Sequence, residues 1–247
     1  MLRRAKTFSG YAFDEMYEKA FYNGLNPAIF KDFKTMIIFG QISSGKTTFL
    51  TQLYKNYLSQ KFDEVHVFAK NTDTIKSYKK MENNIISYKF TPDIKQSRQL
   101  FDDFYGNIQE DYEENEENEG KKPKKRLVII DDYYDPEIKK NSGIINLFIN
   151  GRHIGITVVF ICQYTKIMAS PIMKTNTQIF VLFKTNYEDW TNMRKIIENS
   201  VAQQNPEESY GVIEKLAVKI YNDLVIKMVH DGLVVKGNEI YHYHSKK

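Results

Sequence analysis

Gly40-Gln41-Ile42-Ser43-Ser44-Gly45-Lys46-Thr47 decides the fold. It satisfies the pattern of a glycine, four free positions, then Gly-Lys and a hydroxyl residue. Before it, Met36–Phe39 is a short apolar run suited to a buried strand. After it, Phe49, Leu50, Leu53, Tyr54, Tyr57 and Leu58 recur at helical spacing, so a helix is expected to about Lys61. A strand, a glycine-bearing turn and a helix are the context the pattern requires. Glycines let the backbone curl so that successive N–H groups point inward at an anion, and the helix N-terminus adds a favourable dipole. The expected nucleotide-holding residues are therefore Gly40, Ser43, Ser44, Gly45, Lys46, Thr47 and Thr48. Lys46 is placed to reach the β- and γ-phosphates, and the Thr47 hydroxyl to coordinate Mg²⁺.

Further along, Leu127-Val128-Ile129-Ile130 runs into Asp131-Asp132. An apolar strand ending in acids supplies the carboxylate that Mg²⁺ needs at the carboxyl edge of a sheet. Asp131 is read as the Mg²⁺-side acid, and Asp132 stands where many ATPases carry a Glu that polarises the attacking water. The alternative is that both acids merely open a turn. The separation of the two motifs leaves room for further strands between them, as in P-loop ATPases with an extra strand. A third run, Ile156–Cys162, is β-branched and ends at Gln163. Lying between the other two strands, it would let Gln163 touch the γ-phosphate or orient water. Arg152 precedes this strand, at its opposite end, and could act across a subunit interface as an arginine finger; an ordinary helix-end cation is the plainer reading.

Val65–Ala69, Ile85–Phe90 and Gln178–Phe183 are further strand candidates, and 94–105, 137–150, 187–199 and 207–222 read as helices. This alternation predicts an α/β P-loop NTPase, with a RecA-like, mostly parallel sheet covered by helices on both faces. The organisation expected is a lead-in over 1–34, a core over 35–199 and a C-terminal helix with a β-hairpin or meander over 200–247. The lead-in has a helix-like stretch near Tyr11–Tyr22, and Asp231-Gly232 between apolar runs signals a hairpin. A charged insert over 107–126, acidic in 110–119 and basic in 121–126, reads as a solvated surface loop.

The block Arg152-x-x-Gly155-Ile156, leading into an apolar strand that ends in Gln163, resembles the FtsK/HerA superfamily of DNA-pumping ATPases. Asp131-Asp132, Gly151-Arg152-His153 and Ile-Thr-Val before the Gln resemble its viral genome-packaging branch, found in poxviruses, other large DNA viruses and virophages. The resemblance covers roughly residues 35–195. It implies ATP as the nucleotide, a homo-oligomeric ring of five or six subunits and movement of double-stranded DNA into a capsid. Capsid or portal-vertex proteins are the implied partners, and the virion or the cytoplasm of an infected cell the implied location. It also implies that Lys46 and Thr47 bind nucleotide and Mg²⁺, Asp131 binds Mg²⁺, Asp132 activates water and Gln163 senses the γ-phosphate. Arg152 is the matching finger, with Arg194 and Lys184 as weaker candidates.

Composition agrees without deciding. The 247 residues carry 35 Lys and Arg against 31 Asp and Glu, a net charge of +4 that permits a nucleic-acid partner without demanding one. The single cysteine, Cys162, excludes an intrachain disulfide. No apolar run approaches the roughly 18 residues a membrane helix needs. Tyr241-His242-Tyr243-His244 puts two histidines on one strand face, but with no third ligand in view an edge strand is the simpler reading. His153 and Trp190 are expected to be structural. A small-molecule phosphotransferase lacks support in the absence of an Arg-rich lid segment, and a GTPase in the absence of Asn-Lys-x-Asp. A nucleotide-regulated scaffold without turnover stays open.

Overall fold

The computed structural model describes residues 14–17, 22–23, 26–82, 84–119, 122–163, 170–226 and 231–244. The strands are β1 (Tyr22–Asn23), β2 (Thr35–Phe39), β3 (Glu64–Ala69), β4 (Ile85–Lys89), β5 (Arg126–Asp131), β6 (Ile156–Cys162), β7 (Ile179–Leu182), β8 (Gly232–Lys236) and β9 (Glu239–Tyr243). The α-helices are α1 (Lys46–Leu53), α2 (Thr72–Lys79), α3 (Ile94–Glu119), α4 (Ser142–Ile149), α5 (Pro171–Thr175), α6 (Tyr187–Gln204) and α7 (Tyr210–Tyr221).

The nine strands of the described residues form one sheet in the order β1-β9-β8-β7-β2-β6-β5-β3-β4. From β7 to β4 every neighbouring pair is parallel, while β8 runs antiparallel to β7 and β9 to β8. Every residue of β2, β5 and β6 is buried, as strands covered on both faces must be. Alternation divides them between two cores. Val128 and Ile130 join Phe68, Phe101 and Phe160 on one face, and Leu127 and Ile129 join Phe49, Leu53 and Val67 on the other. The parallel, helix-covered α/β sheet expected from the sequence is therefore present. So is the intervening strand, since β6 separates the strand before the glycine turn from the strand that ends in Asp131.

Three expectations need correction. The acidic stretch 110–119 is not a loop, because α3 runs unbroken through it to Glu119. Its apolar face continues through Phe104, Tyr105, Ile108 and Tyr112 into the core. Gln109 bonds Glu113 one turn on, and Asn115 bonds Asp111. Arg126, at the start of β5 and only 2% exposed, holds Asp111 as well as Glu64. Glutamate is a good helix former, so a solvated acidic run need not be irregular. Second, the hairpin turn is Gly237-Asn238, not Asp231-Gly232, which leads into β8. Gly237 has φ +59°, the conformation that a two-residue hairpin turn needs at its first central position. Leu224–Ile226 lies in a π-helical turn rather than a strand, and 227–230 fall outside the described residues. Third, α2 was not expected at all. Of the Tyr11–Tyr22 stretch, Asp14–Tyr17 is helical, and the remaining residues before Tyr22 lie outside the described ones. The C-terminal hairpin extends the core sheet through β7.

Gly143 lets α4 approach α3, since a Cβ there would lie 2.4 Å from the backbone of Phe101. Gly106 of α3 has open space around it. Gly143→Ala should destabilise the protein by about 1–3 kcal/mol, because backbone cannot move aside as a side-chain tip can. Gly106→Ala should stabilise by up to about 1 kcal/mol through helix propensity. Urea unfolding of both variants checks the pair, and equal effects would contradict the packing described.

Candidate active site

The phosphate loop is built from backbone conformations that few residues adopt. Ser43 has φ +60° and Gly45 φ +102°, and this pair swings the chain from β2 into the first turn of α1. Gly40 is required for a second reason. A Cβ there would sit 2.4 Å from Ser44 Oγ and 2.6 Å from Phe183 Cβ. Ser44 Oγ is buried with no hydrogen-bond partner among the described residues. Lys46 is 9% exposed, and its ammonium donates to the carbonyls of Gly40 and Gln41, both at 2.7 Å. Burial lowers its pKa, while Asp131, Cys162 and Asp132 hold it up. The ammonium is thus parked on the loop's own oxygens. Thr47 is half-buried, and Thr48 is exposed on the next helical position.

Two strands bring the acids to the same edge. Asp131 ends β5 beside Ile161 of β6 and is 7% exposed. Its Oδ2 accepts from the Tyr78 hydroxyl at 2.7 Å, and Tyr78, wholly buried on α2, is also hydrogen-bonded to the Thr47 side chain. One hydroxyl therefore spans the two groups read as Mg²⁺ ligands. Burial pushes the Asp131 carboxyl up to about 6, with Asp132 adding to the rise and Tyr78 and Lys46 opposing it. Asp132 is also raised by burial, opposed by Lys46, Lys70 and Gln163. Its backbone is left-handed, φ +59°, and its N–H donates to Ile161 O at 3.0 Å. Gln163, just past β6, donates from Nε2 to Asp132 Oδ1 at 2.8 Å. Lys46, Thr47, Asp131, Asp132 and Gln163 thus converge, as the order β2-β6-β5 dictates.

The oxygen donors of Thr47 and Asp131 suit a hard divalent cation, and the buried Ser44 hydroxyl leaves a polar group in the loop for a ligand to satisfy. Sequence reasoning missed Tyr78 and the clamp behind the acids. There, Asp135, 2% exposed, takes two bonds of 2.7 Å from Arg98 of α3. No motif announces either pair, because each is made across more than 35 residues of chain.

Arg152 is not part of this group. It lies exposed in a 3₁₀ turn, Gly151–Ile154, at the amino end of β6, donating to His153 Nε2 at 3.1 Å. There it lines a groove with Lys31, Lys34, Lys61, Lys122 and Lys125. Arg194 is held between α6 and α7 by Glu198 at 2.7 Å and Glu214 at 2.9 Å. Lys184 is exposed beside the phosphate loop, its carbonyl accepting from Gln41 N at 2.9 Å. Trp190 stacks on Tyr221 with centroids 4.0 Å apart.

The family described as poxvirus A32 protein matches residues 19–243. No curated protein sequence matches the chain. Among solved structures, the genome packaging NTPase B204 from Sulfolobus turreted icosahedral virus 2, in complex with AMP, superimposes with a TM-score of 0.56 at 13% identity, covering 90% of this chain and 100% of that one. Its complex with ATP-gammaS gives 0.53 at 13% identity, over 90% and 100% of the two chains. The cytoplasmic domain of the Thermomonospora curvata type VII secretion ATPase EccC gives 0.55 at 11% identity, over 86% of this chain and 25% of that one. At these identities the structures speak for a shared fold.

Folding raises the Asp131 pKa from its ordinary 3.8 to about 6. The stability this group contributes is therefore full below its unfolded pKa and lost as pH rises through about 6. The whole effect is about 3 kcal/mol, of which roughly 1.4 kcal/mol falls between about pH 5 and about pH 8. Asp131→Asn removes that loss and can still accept from Tyr78. Urea unfolding of nucleotide-free, Mg²⁺-free protein should show the variant gaining on wild type by that amount over that interval. A constant difference would mean that Asp131 titrates normally.

Proposed function

This chain belongs to the poxvirus A32 protein family, and on that premise we propose that it is an ATP-hydrolysing motor that moves double-stranded DNA into a viral capsid. The observation that carries the catalytic part is the meeting of Lys46, Asp131, Asp132 and Gln163 at the carboxyl ends of three adjacent parallel strands. Backbone amides of the loop between Ser43 and Thr48 and the Lys46 ammonium hold the triphosphate. Lys46 leaves the Gly40 and Gln41 carbonyls for the phosphoryl oxygens, an exchange that its low-dielectric setting makes favourable. Thr47 and Asp131 hold Mg²⁺, which offsets phosphate charge when bound. Asp132 accepts a proton from the attacking water, and burial, by raising its pKa, makes its carboxylate a stronger base. Gln163, bonded to Asp132, orients both that carboxylate and the γ-phosphate.

Arg152 completes the site in trans. A residue at the amino edge of the sheet cannot reach a phosphate at the carboxyl edge of the same sheet. In a ring it can reach the neighbouring subunit's phosphate, and the lysines around it make that groove attractive to an anion. Arg194, already paired with two carboxylates, is less free to serve. No described helix is long and apolar enough to cross a membrane. The virion and the cytoplasm of an infected cell remain the proposed locations, and a capsid or portal-vertex protein the proposed dock.

Lys46→Ala should abolish hydrolysis, and Asp132→Asn should bind ATP with Mg²⁺ yet not turn it over, as read by nucleotide binding and phosphate release with and without duplex DNA. Wild-type turnover by either variant, or failure of the nucleotide-bound assembly to bind DNA, would overturn the reading. DNA affinity should fall steeply with salt and show little sequence preference.

Arg152→Ala should bind ATP normally and lose about 10³-fold or more in rate. Mixed with Lys46→Ala subunits it should regain partial activity, since one interface then joins an intact phosphate loop to an intact Arg152. A dead mixture in rings shown to be mixed would place the action of Arg152 within its own subunit.

A further inference from the structure

The C-terminal hairpin brings together three residues that the sequence leaves apart. His242 lies in β9, and His244 follows it on the same face by strand alternation. Asp231 lies just before β8. The antiparallel register pairs Gly232 with Tyr243, so one step further Asp231 comes opposite His244. The third ligand missing from the sequence reading is therefore delivered by strand pairing. Asp231 Oδ2 stands 2.8 Å from His244 Nδ1 and 3.3 Å from His242 Nε2. One donor atom from each residue lies within 4.8 Å of the others, and the two imidazole centroids are 3.9 Å apart.

Burial separates this group from an ordinary surface pair. His242 is 2% exposed and Asp231 8%, so both are removed from solvent that would otherwise share their charge. The His242 ring is also hydrogen-bonded to the backbone of Leu224, while Nε2 faces the carboxylate. A ring fixed through one nitrogen by a backbone carbonyl, with the other turned to an anionic oxygen, is the arrangement that orients histidine toward a metal. His244, the exposed member of the three, faces the same carboxylate from the solvent side.

We propose that Asp231, His242 and His244 bind a divalent transition metal of the Zn²⁺ class, with a fourth position open to solvent. Two imidazoles and one carboxylate suit Zn²⁺ better than Mg²⁺ or Ca²⁺. The metal ties the end of β9 to the start of β8, at the edge of the sheet that also carries the phosphate loop. Gly232, next to Asp231, packs against Phe183, and Phe183 crowds Gly40. Tyr243, between the two histidines, packs on Phe49 of α1 and bonds Gln52 through its hydroxyl. The site thus braces one wall of the phosphate loop without touching the nucleotide.

The test uses the full chain, purified without a histidine tag, stripped with chelator and free of nucleotide. One equivalent of Co²⁺ should produce the visible absorption of a tetrahedral site, and Zn²⁺ should displace it. Zn²⁺ should also raise the thermal midpoint by a few degrees. Asp231→Asn, which keeps the shape and one hydrogen bond, and His244→Ala, at the exposed ligand, should each weaken binding by about 100-fold or more. His244→Ala in particular should fold normally, so loss of its Co²⁺ signal cannot be ascribed to unfolding. Wild type without a one-equivalent Co²⁺ signal, or variants that retain that signal, would overturn the proposal.

Discussion

One ammonium and two carboxylates, buried side by side at the ends of adjacent strands, form the constraint around which the rest is arranged. None of them is stable alone in such surroundings. Burial lowers the Lys46 pKa and raises those of Asp131 and Asp132, and each is restrained by the opposite charge of its neighbour. Each has a polar partner: loop carbonyls for the lysine, a tyrosine hydroxyl for one acid, a glutamine amide for the other. A polyanion accompanied by a cation is the guest whose charges relieve all of these at once. The sheet exists, in this sense, to hold that imbalance still.

That demand explains the packing behind the site. β5 is apolar from Leu127 to Ile130 and β6 from Val158 to Cys162, so a shift of one residue would bury the acids or expose the core. The clamp of Arg98 on Asp135 pins the segment after the acids to α3. Arg126 does the same at the other end of β5, joining Glu64 and Asp111. Charge-assisted pairs of this kind bound the strand at both ends and keep its carboxylate in place.

The sequence made the centre of the molecule readable because there the local signals agree. Gly40–Thr47 needs its backbone shape, and continuous apolar runs have few fates other than buried parallel strands. Gln163 was readable for the same reason, since strand order alone places the end of β6 between the other two. What escaped was non-local or weakly patterned. Tyr78 sits on a short helix with two buried residues, Ile75 and Tyr78, too few to mark a stripe. The acidic run resembled a loop because charge was weighed above helix propensity and above the apolar positions spaced among the acids. Asp231-Gly232 and Gly237-Asn238 carry rival turn signals, and only pairing with β7 selects the second. Asp231 as a partner of two histidines depends on that same register, so it was invisible until the register was known.

The left-handed backbone at Asp132 bears on which acid that position can hold. A side chain at positive φ is crowded by its own carbonyl, and among charged residues aspartate tolerates this best because it can bond to nearby backbone. Glutamate would gain reach there but lose that tolerance. The backbone thus acts as a filter on sequence drift: it admits Asp, Asn and Gly and resists longer side chains. Of these only Asp keeps a charge, so the geometry of one peptide unit favours a single acid at this position.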